Sequence, residues 1–72
     1  MEKIKFNYSK LKGRIIEKCG SQKAFAELLG ITEGTLKSKL LGYTYFTQDE
    51  IFKSCECLEI AEDKVSLYFF TV

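Results

Sequence analysis

The segment Gln22-Lys23-Ala24-Phe25-Ala26-Glu27-Leu28-Leu29-Gly30-Ile31-Thr32-Glu33-Gly34-Thr35-Leu36-Lys37-Ser38-Lys39-Leu40 reads as two short helices joined by a tight turn. Ser21 precedes it as an N-cap. Phe25, Ala26, Leu28 and Leu29 supply the apolar positions of the first helix, Gln22 to Leu29. Gly30 stops that helix after two turns, because glycine takes the left-handed conformation that reverses the chain. Ile31 seals the turn, and Thr32 caps a second helix that runs to about Leu41 and ends at Gly42. Leu36 and Leu40, four apart, face inward. Ala26 is small because the second helix crosses close to it, and Leu36 packs back beneath it. The unit is a helix–turn–helix over about residues 22–41.

Outward from this unit, the N-terminal side carries Tyr8, Leu11, Ile15, Ile16 and Cys19, spaced as one helical stripe. Asn7 or Ser9 can cap its start and Gly20 can end it. On the C-terminal side, Thr47 with Glu50 three residues later is a capping box, and Asp49 adds a favourable charge at the positive helix end. That helix carries the stripe Ile51, Phe52, Cys55 and Leu58. Residues 61–65 read as one further turn of helix. The end, Ser66-Leu67-Tyr68-Phe69-Phe70-Thr71-Val72, is β-branched and aromatic and reads as extended. The expected fold class is all-α: a single domain over residues 1–72, a bundle of four to five helices with a short extended C-terminal segment.

Composition narrows the function classes. The 72 residues hold no His, no Trp and no Pro, which removes imidazole acid–base chemistry and the commonest metal ligand. Cys19, Cys55 and Cys57 contain no CxxC spacing and read as reduced thiols, two of them packed as small hydrophobes, which points to the cytoplasm. No nucleophile–base pair, metal-ligand set or Gly-rich phosphate loop is present, so catalytic residues, metal and cofactor are all expected to be none. No apolar run approaches the roughly 18–20 residues of a membrane span, and Met1 to Asn7 lack the apolar core of a signal peptide.

The net charge of +1 conceals a division. Residues 1–41 hold nine basic and four acidic side chains, a balance of +5, and residues 42–72 hold two basic and six acidic, a balance of −4. A polyanion partner suits the first half; ordinary surface solvation accounts for the same charges equally well.

With these elements in place the chain resembles the Cro/CI-type helix–turn–helix repressors of phages and prophages, above all their small single-domain members. The resemblance rests on Gln22, Ala26, Gly30-Ile31-Thr32, Thr35-Leu36, Lys39-Leu40, Gly42, Phe46-Thr47, Glu50-Ile51 and Tyr68-Phe69-Phe70, and covers about residues 8 to 70. One departure stands out: Lys39 occupies a position that is apolar in the better-known repressors. Its stem can cover the core while its ammonium reaches a phosphate.

The resemblance implies a sequence-specific regulator of transcription, a repressor that binds a double-stranded DNA operator as a homodimer with its third helix in the major groove. Base reading then falls to Glu33, Gly34, Lys37 and Ser38. Phosphate contacts fall to Gln22 and Lys23 at a helix N-terminus, to the hydroxyls of Thr32 and Thr35, and to Lys39, Tyr43 and Tyr45. Gly34 either lets DNA approach closely or is a tolerated surface glycine. For dimerisation the tail offers Leu67, Tyr68, Phe69 and Phe70; the competing reading folds this tail onto the chain's own core. The alternative function is a protein-interaction module, an antirepressor or antitoxin-like partner that keeps the helix–turn–helix shape. No small-molecule ligand is evident.

Overall fold

The computed structural model describes residues 4–72. Met1, Glu2 and Lys3, counted in the charge division, lie outside the described residues. The elements are α1 (Ser9–Cys19), α2 (Gln22–Leu29), α3 (Glu33–Leu40), α4 (Gln48–Leu58), a 3₁₀ turn (Glu62–Lys64) and α5 (Val65–Phe69). The described residues are all-helical, with no strand among them.

Local chemistry sets most boundaries. The Asn7 side-chain oxygen accepts from the Ser9 N–H (2.9 Å) and turns the chain into α1. Ser21 Oγ accepts from the Ala24 N–H (3.1 Å), and Thr32 Oγ1 accepts from the Thr35 N–H (3.1 Å). Thr47 and Glu50 form the full capping box of α4. Helices α2 and α3 end in the same way. Gly30 (φ 77°) and Gly42 (φ 90°) reverse the chain, while the Ile31 N–H reaches the Ala26 carbonyl and the Tyr43 N–H reaches the Ser38 carbonyl (both 3.0 Å). α4 ends on Glu59, a left-handed non-glycine residue (φ 53°). There Arg14 of α1 donates from Nε to the Leu58 carbonyl (2.8 Å) and from Nη2 to the Glu59 carbonyl (3.0 Å). A guanidinium at a helix C-terminus satisfies carbonyls that have no partner within the helix.

The core joins Leu11 and Ile15 of α1, Phe25, Ala26 and Leu29 of α2, Leu36 and Leu40 of α3, and Leu58 of α4. Beside them an aromatic cluster links the N-terminal arm, the loop after α3 and the C-terminal helix. Phe6 meets Tyr8, Tyr45 and Phe70, while Phe46 meets Tyr8 and Phe69, at centroid distances of 5.4 to 6.3 Å. Edge-to-face pairs of this kind add about 0.5–1.5 kcal/mol each beyond simple burial.

The C-terminal segment departs from expectation. Residues 65–69 are helix, not extended chain. Val65, Tyr68 and Phe69 stand at i, i+3 and i+4 and pack toward the core, and Phe69 is 1% exposed. The β preference of aromatic and β-branched residues is weaker than the gain from seating Phe69 against Phe46. Two positions in the expected stripes also turn outward. Ile16 and Phe52 are exposed, each roughly 100° round its helix from the residue it follows, buried Ile15 and half-buried Ile51.

Candidate functional site

The helix–turn–helix surface comes first. α2 and α3 are in contact, with Ala26 and Leu36 buried beneath them. Gln22 and Lys23 stand in the first turn of α2, Lys23 exposed and Gln22 half-buried. Gln22 and Lys37 line one shallow recess of about 200 Å³ with Lys12 of α1, a contributor that the helix–turn–helix pattern does not include. Glu33 and Lys37 pair with each other across one helical turn (3.8 Å). Thr32 donates its hydroxyl to that of Thr35 (2.9 Å) while capping α3. Ser38 is half-buried. Gly34 is exposed and opens on empty space, with no atom within 4 Å of where a Cβ would stand.

The loop and the end of α3 are arranged differently from the expectation. The Lys39 ammonium does not point outward. Its side chain is 9% exposed, and Nζ lies 3.0 Å from Glu50 Oε1, donates to the Tyr45 carbonyl (3.0 Å) and sits 5.8 Å from the Phe46 ring centre. A buried cation needs a counter-charge and hydrogen-bond acceptors, and all are supplied from within the chain. The expectation that Lys39 reaches a phosphate is thereby corrected. Burial works against the Glu50 carboxylate, but the Thr47 N–H, the Lys39 ammonium and the Thr47 hydroxyl outweigh it and hold its pKa below the usual glutamate value. Tyr45 donates its hydroxyl to the Ile4 carbonyl (2.9 Å) and sets its ring edge-on to Phe6, so it holds the N-terminal arm. Tyr43 is 67% exposed.

Two other cations of the first half are also engaged, while Lys5, Lys10, Lys12 and Lys23 make no ion pair among the described residues. Arg14 binds the end of α4 and pairs with Glu17 (3.3 Å), and Lys18 pairs with Glu59 (3.0 Å). That contact holds the Glu59 carboxyl below its usual range.

A second surface lies along α4 and α5. Ile51, Phe52, Cys55, Ile60, Val65 and Phe70 line a groove of about 580 Å³, with Gln48 and Glu62 as its polar contributors. Ile51 and Phe70 are shared with an adjoining aromatic cavity of about 270 Å³ that Ile4, Phe6 and Tyr45 help to line. The expected dimerisation residues divide between core and surface. Phe69 belongs to the subunit's own core, which corrects its assignment to an interface; Tyr68 is half-buried; Leu67 and Phe70 are exposed. The stripe of α4 places Phe52 inward, but it stands exposed on the groove. The usable signal was its step away from Ile51, which starts the row Ile51, Ser54, Cys55, Leu58 that faces inward. Burial pushes the Cys55 thiol up, and burial with the nearby Cys57 pushes up that of Cys19, so both are protonated at neutral pH.

Among the described residues no group of three potential metal ligands is clustered, and no helix is long and apolar enough to cross a membrane.

A solved structure similar to this one is the solution structure of the modulator of repression (MOR) of the temperate bacteriophage TP901-1 from Lactococcus lactis. The two share 38% sequence identity with a TM-score of 0.79, over 96% of this chain and 93% of that one. No curated protein matches the sequence significantly. A family model described as a protein of unknown function, DUF739, matches residues 4–72, and the chain belongs to that family.

Proposed function

We propose that this chain regulates phage repression by binding a protein partner, the repressor of the phage system it serves, and not by reading an operator alone. The observation that carries this reading is the likeness, at 38% identity across 96% of the chain, to a phage modulator of repression. The state of the helix–turn–helix supports it. Lys39 is turned inward, Lys37 is paired with Glu33, and Arg14 and Lys18 are tied to the end of α4. Of the eight basic side chains described in residues 1–41, Lys5, Lys10, Lys12 and Lys23 make no ion pair among the described residues, so about half of the positive charge counted in the sequence is open to phosphates, and phosphate neutralisation supplies a large share of the affinity of such modules for DNA. The role is binding without catalysis, set in the host cytoplasm.

A second reading keeps operator contact by a homodimer. It is favoured by the recess where Lys12, Gln22 and Lys37 meet beside the first turn of α2. Calorimetry with the purified repressor and gel shifts with operator DNA separate the two. The first reading expects a stoichiometric complex with repressor and no shifted operator with the chain alone. An operator shifted by the chain alone, with log K falling by about 0.9 per phosphate contact against log salt, would transfer the function to the second reading.

A further inference from the structure

We propose that the groove between α4 and α5 seats an amphipathic helix of the partner protein, one whose apolar stripe is bordered by lysine or arginine. This rests on the partner-protein reading above.

The groove has the form that such a ligand needs. Phe52 and Phe70 stand 66% and 50% exposed along it, and Ile51, Cys55, Ile60 and Val65 complete an apolar lining. Exposed aromatic side chains beside an apolar trough are the usual anchors of an interface. α4 has 11 residues, so it is about 16 Å long, three turns. A partner helix laid along it presents apolar residues at i, i+3, i+4 and i+7 over the same length.

Charge identifies the occupant. On α4, Asp49 and Glu56 lie at i−3 and i+4 from Phe52, beside it on the helix surface. Glu62 lines the groove and Asp63 follows it on the 3₁₀ turn. All four carboxylates are exposed, and none makes an ion pair among the described residues. Lys53 and Lys64 are the two basic residues of this stretch, so the rim is acidic on balance. The remaining acids, Glu50 and Glu59, are engaged by Lys39 and Lys18. A second copy docked by the same face would bring one acidic rim against another, which like-charge repulsion disfavours. Nucleic acid and anionic lipid are repelled for the same reason. A helix with a basic border both fills the trough and neutralises its rim.

The test is a titration of the full, isotope-labelled chain, followed by NMR amide shifts. The probe is a synthetic peptide of about 18 residues, long enough to hold a helix, with a leucine stripe bordered by lysines. The control carries the same stripe bordered by glutamates. The lysine peptide is expected to shift amides of α4 and α5 and to bind roughly tenfold more tightly than the control, the gap narrowing in about 0.5 M salt. Phe52→Ser, at a surface position, should leave the fold intact by circular dichroism and weaken the lysine peptide roughly tenfold. Equal affinity for the two peptides, no binding of the lysine peptide, or shifts confined to α2 and α3 would each overturn the proposal. So would a dimer in sedimentation that Phe52→Ser dissociates. The repressor supplies the separate arm. Repressor binding unchanged by Phe52→Ser overturns the groove and leaves the partner reading standing. A chain that seats the lysine peptide in the groove yet ignores the repressor supports the groove and overturns the partner reading.

Discussion

Helices α1–α3 and helices α4–α5 use their charged side chains in different ways. In the first unit Arg14, Lys18, Lys37 and Lys39 all reach carboxylates or carbonyls of the same chain. In the second unit four carboxylates stay in solvent beside two exposed phenylalanines. The unit with the recognisable motif thus engages four of the seven cations on its helices within the chain, while Lys10, Lys12 and Lys23 stay in solvent. The unit outside the helix–turn–helix offers an apolar trough. A motif specifies backbone geometry, and its surface chemistry depends on what the rest of the fold demands of the same side chains.

The sharpest test lies within the tail. Phe69→Ala should cost about 3–5 kcal/mol, because Phe69 is buried and removing it leaves a cavity. Phe70→Ser, one residue on and half exposed, should cost much less. Urea unfolding of the two variants measures both, and equal losses would mean that the tail is not divided between core and surface.

The link between the units comes next. Glu50→Ala should cost about 3 kcal/mol, because it leaves the Lys39 ammonium buried without its counter-charge. Thr47→Ala, which removes one cap of the same helix, should cost about 1 kcal/mol. If chemical denaturation ranks them equally, the buried pair does not hold the units together. The pair also has a pH signature. The folded pKa of Glu50 is depressed, so its contribution is present above the unfolded value of about 4.3 and is lost as pH falls through the folded value. Melting temperatures of wild type and Glu50→Gln should therefore converge as pH drops below about 4.

Within the first unit, Ala26→Leu should cost about 1–3 kcal/mol by forcing α2 and α3 apart, since Ala26 is buried beneath that crossing. Gly30→Val should cost about 1–2 kcal/mol through its positive φ. Thermal melts that match wild type in both would refute the tight crossing. The smallest effect is of opposite sign. Gly13 lies mid-helix in α1 with nothing within 4 Å of a new Cβ, so Gly13→Ala should raise stability by about 0.8–1 kcal/mol.

The fold was largely legible because its boundaries are written locally. Ser21, Thr32 and the Thr47–Glu50 box start helices, and Gly20, Gly30 and Gly42 end them, all through contacts a few residues away. The signals that failed depend on distant partners. α5 owes its helix to Phe69 meeting Phe46, across 23 positions of chain. Even so, Glu62 and Asp63 ahead of Val65, Tyr68 and Phe69 at helical spacing were a readable hint. The resemblance sends the Lys39 ammonium outward to a phosphate, and its inward turn depends on Glu50, eleven positions away and on another helix. The trough was illegible for a related reason. Period places Phe52 at the edge of the row Ile51, Ser54, Cys55 and Leu58, and the packing of Ser54 and Leu58 shows that this edge is uncovered.

Glu50 Oε1 accepts both the Thr47 N–H (2.8 Å) and the Lys39 ammonium (3.0 Å), and this double use makes the two positions unequal in heredity. An apolar residue at 39 removes the counter-charge of Glu50 but leaves its hydrogen bonds to Thr47, so that change is the less costly of the two. An apolar residue at 50 strands Lys39 and is open only after 39 has changed. The pairing of Lys39 with an apolar residue at 50 is the combination that related chains are expected to avoid.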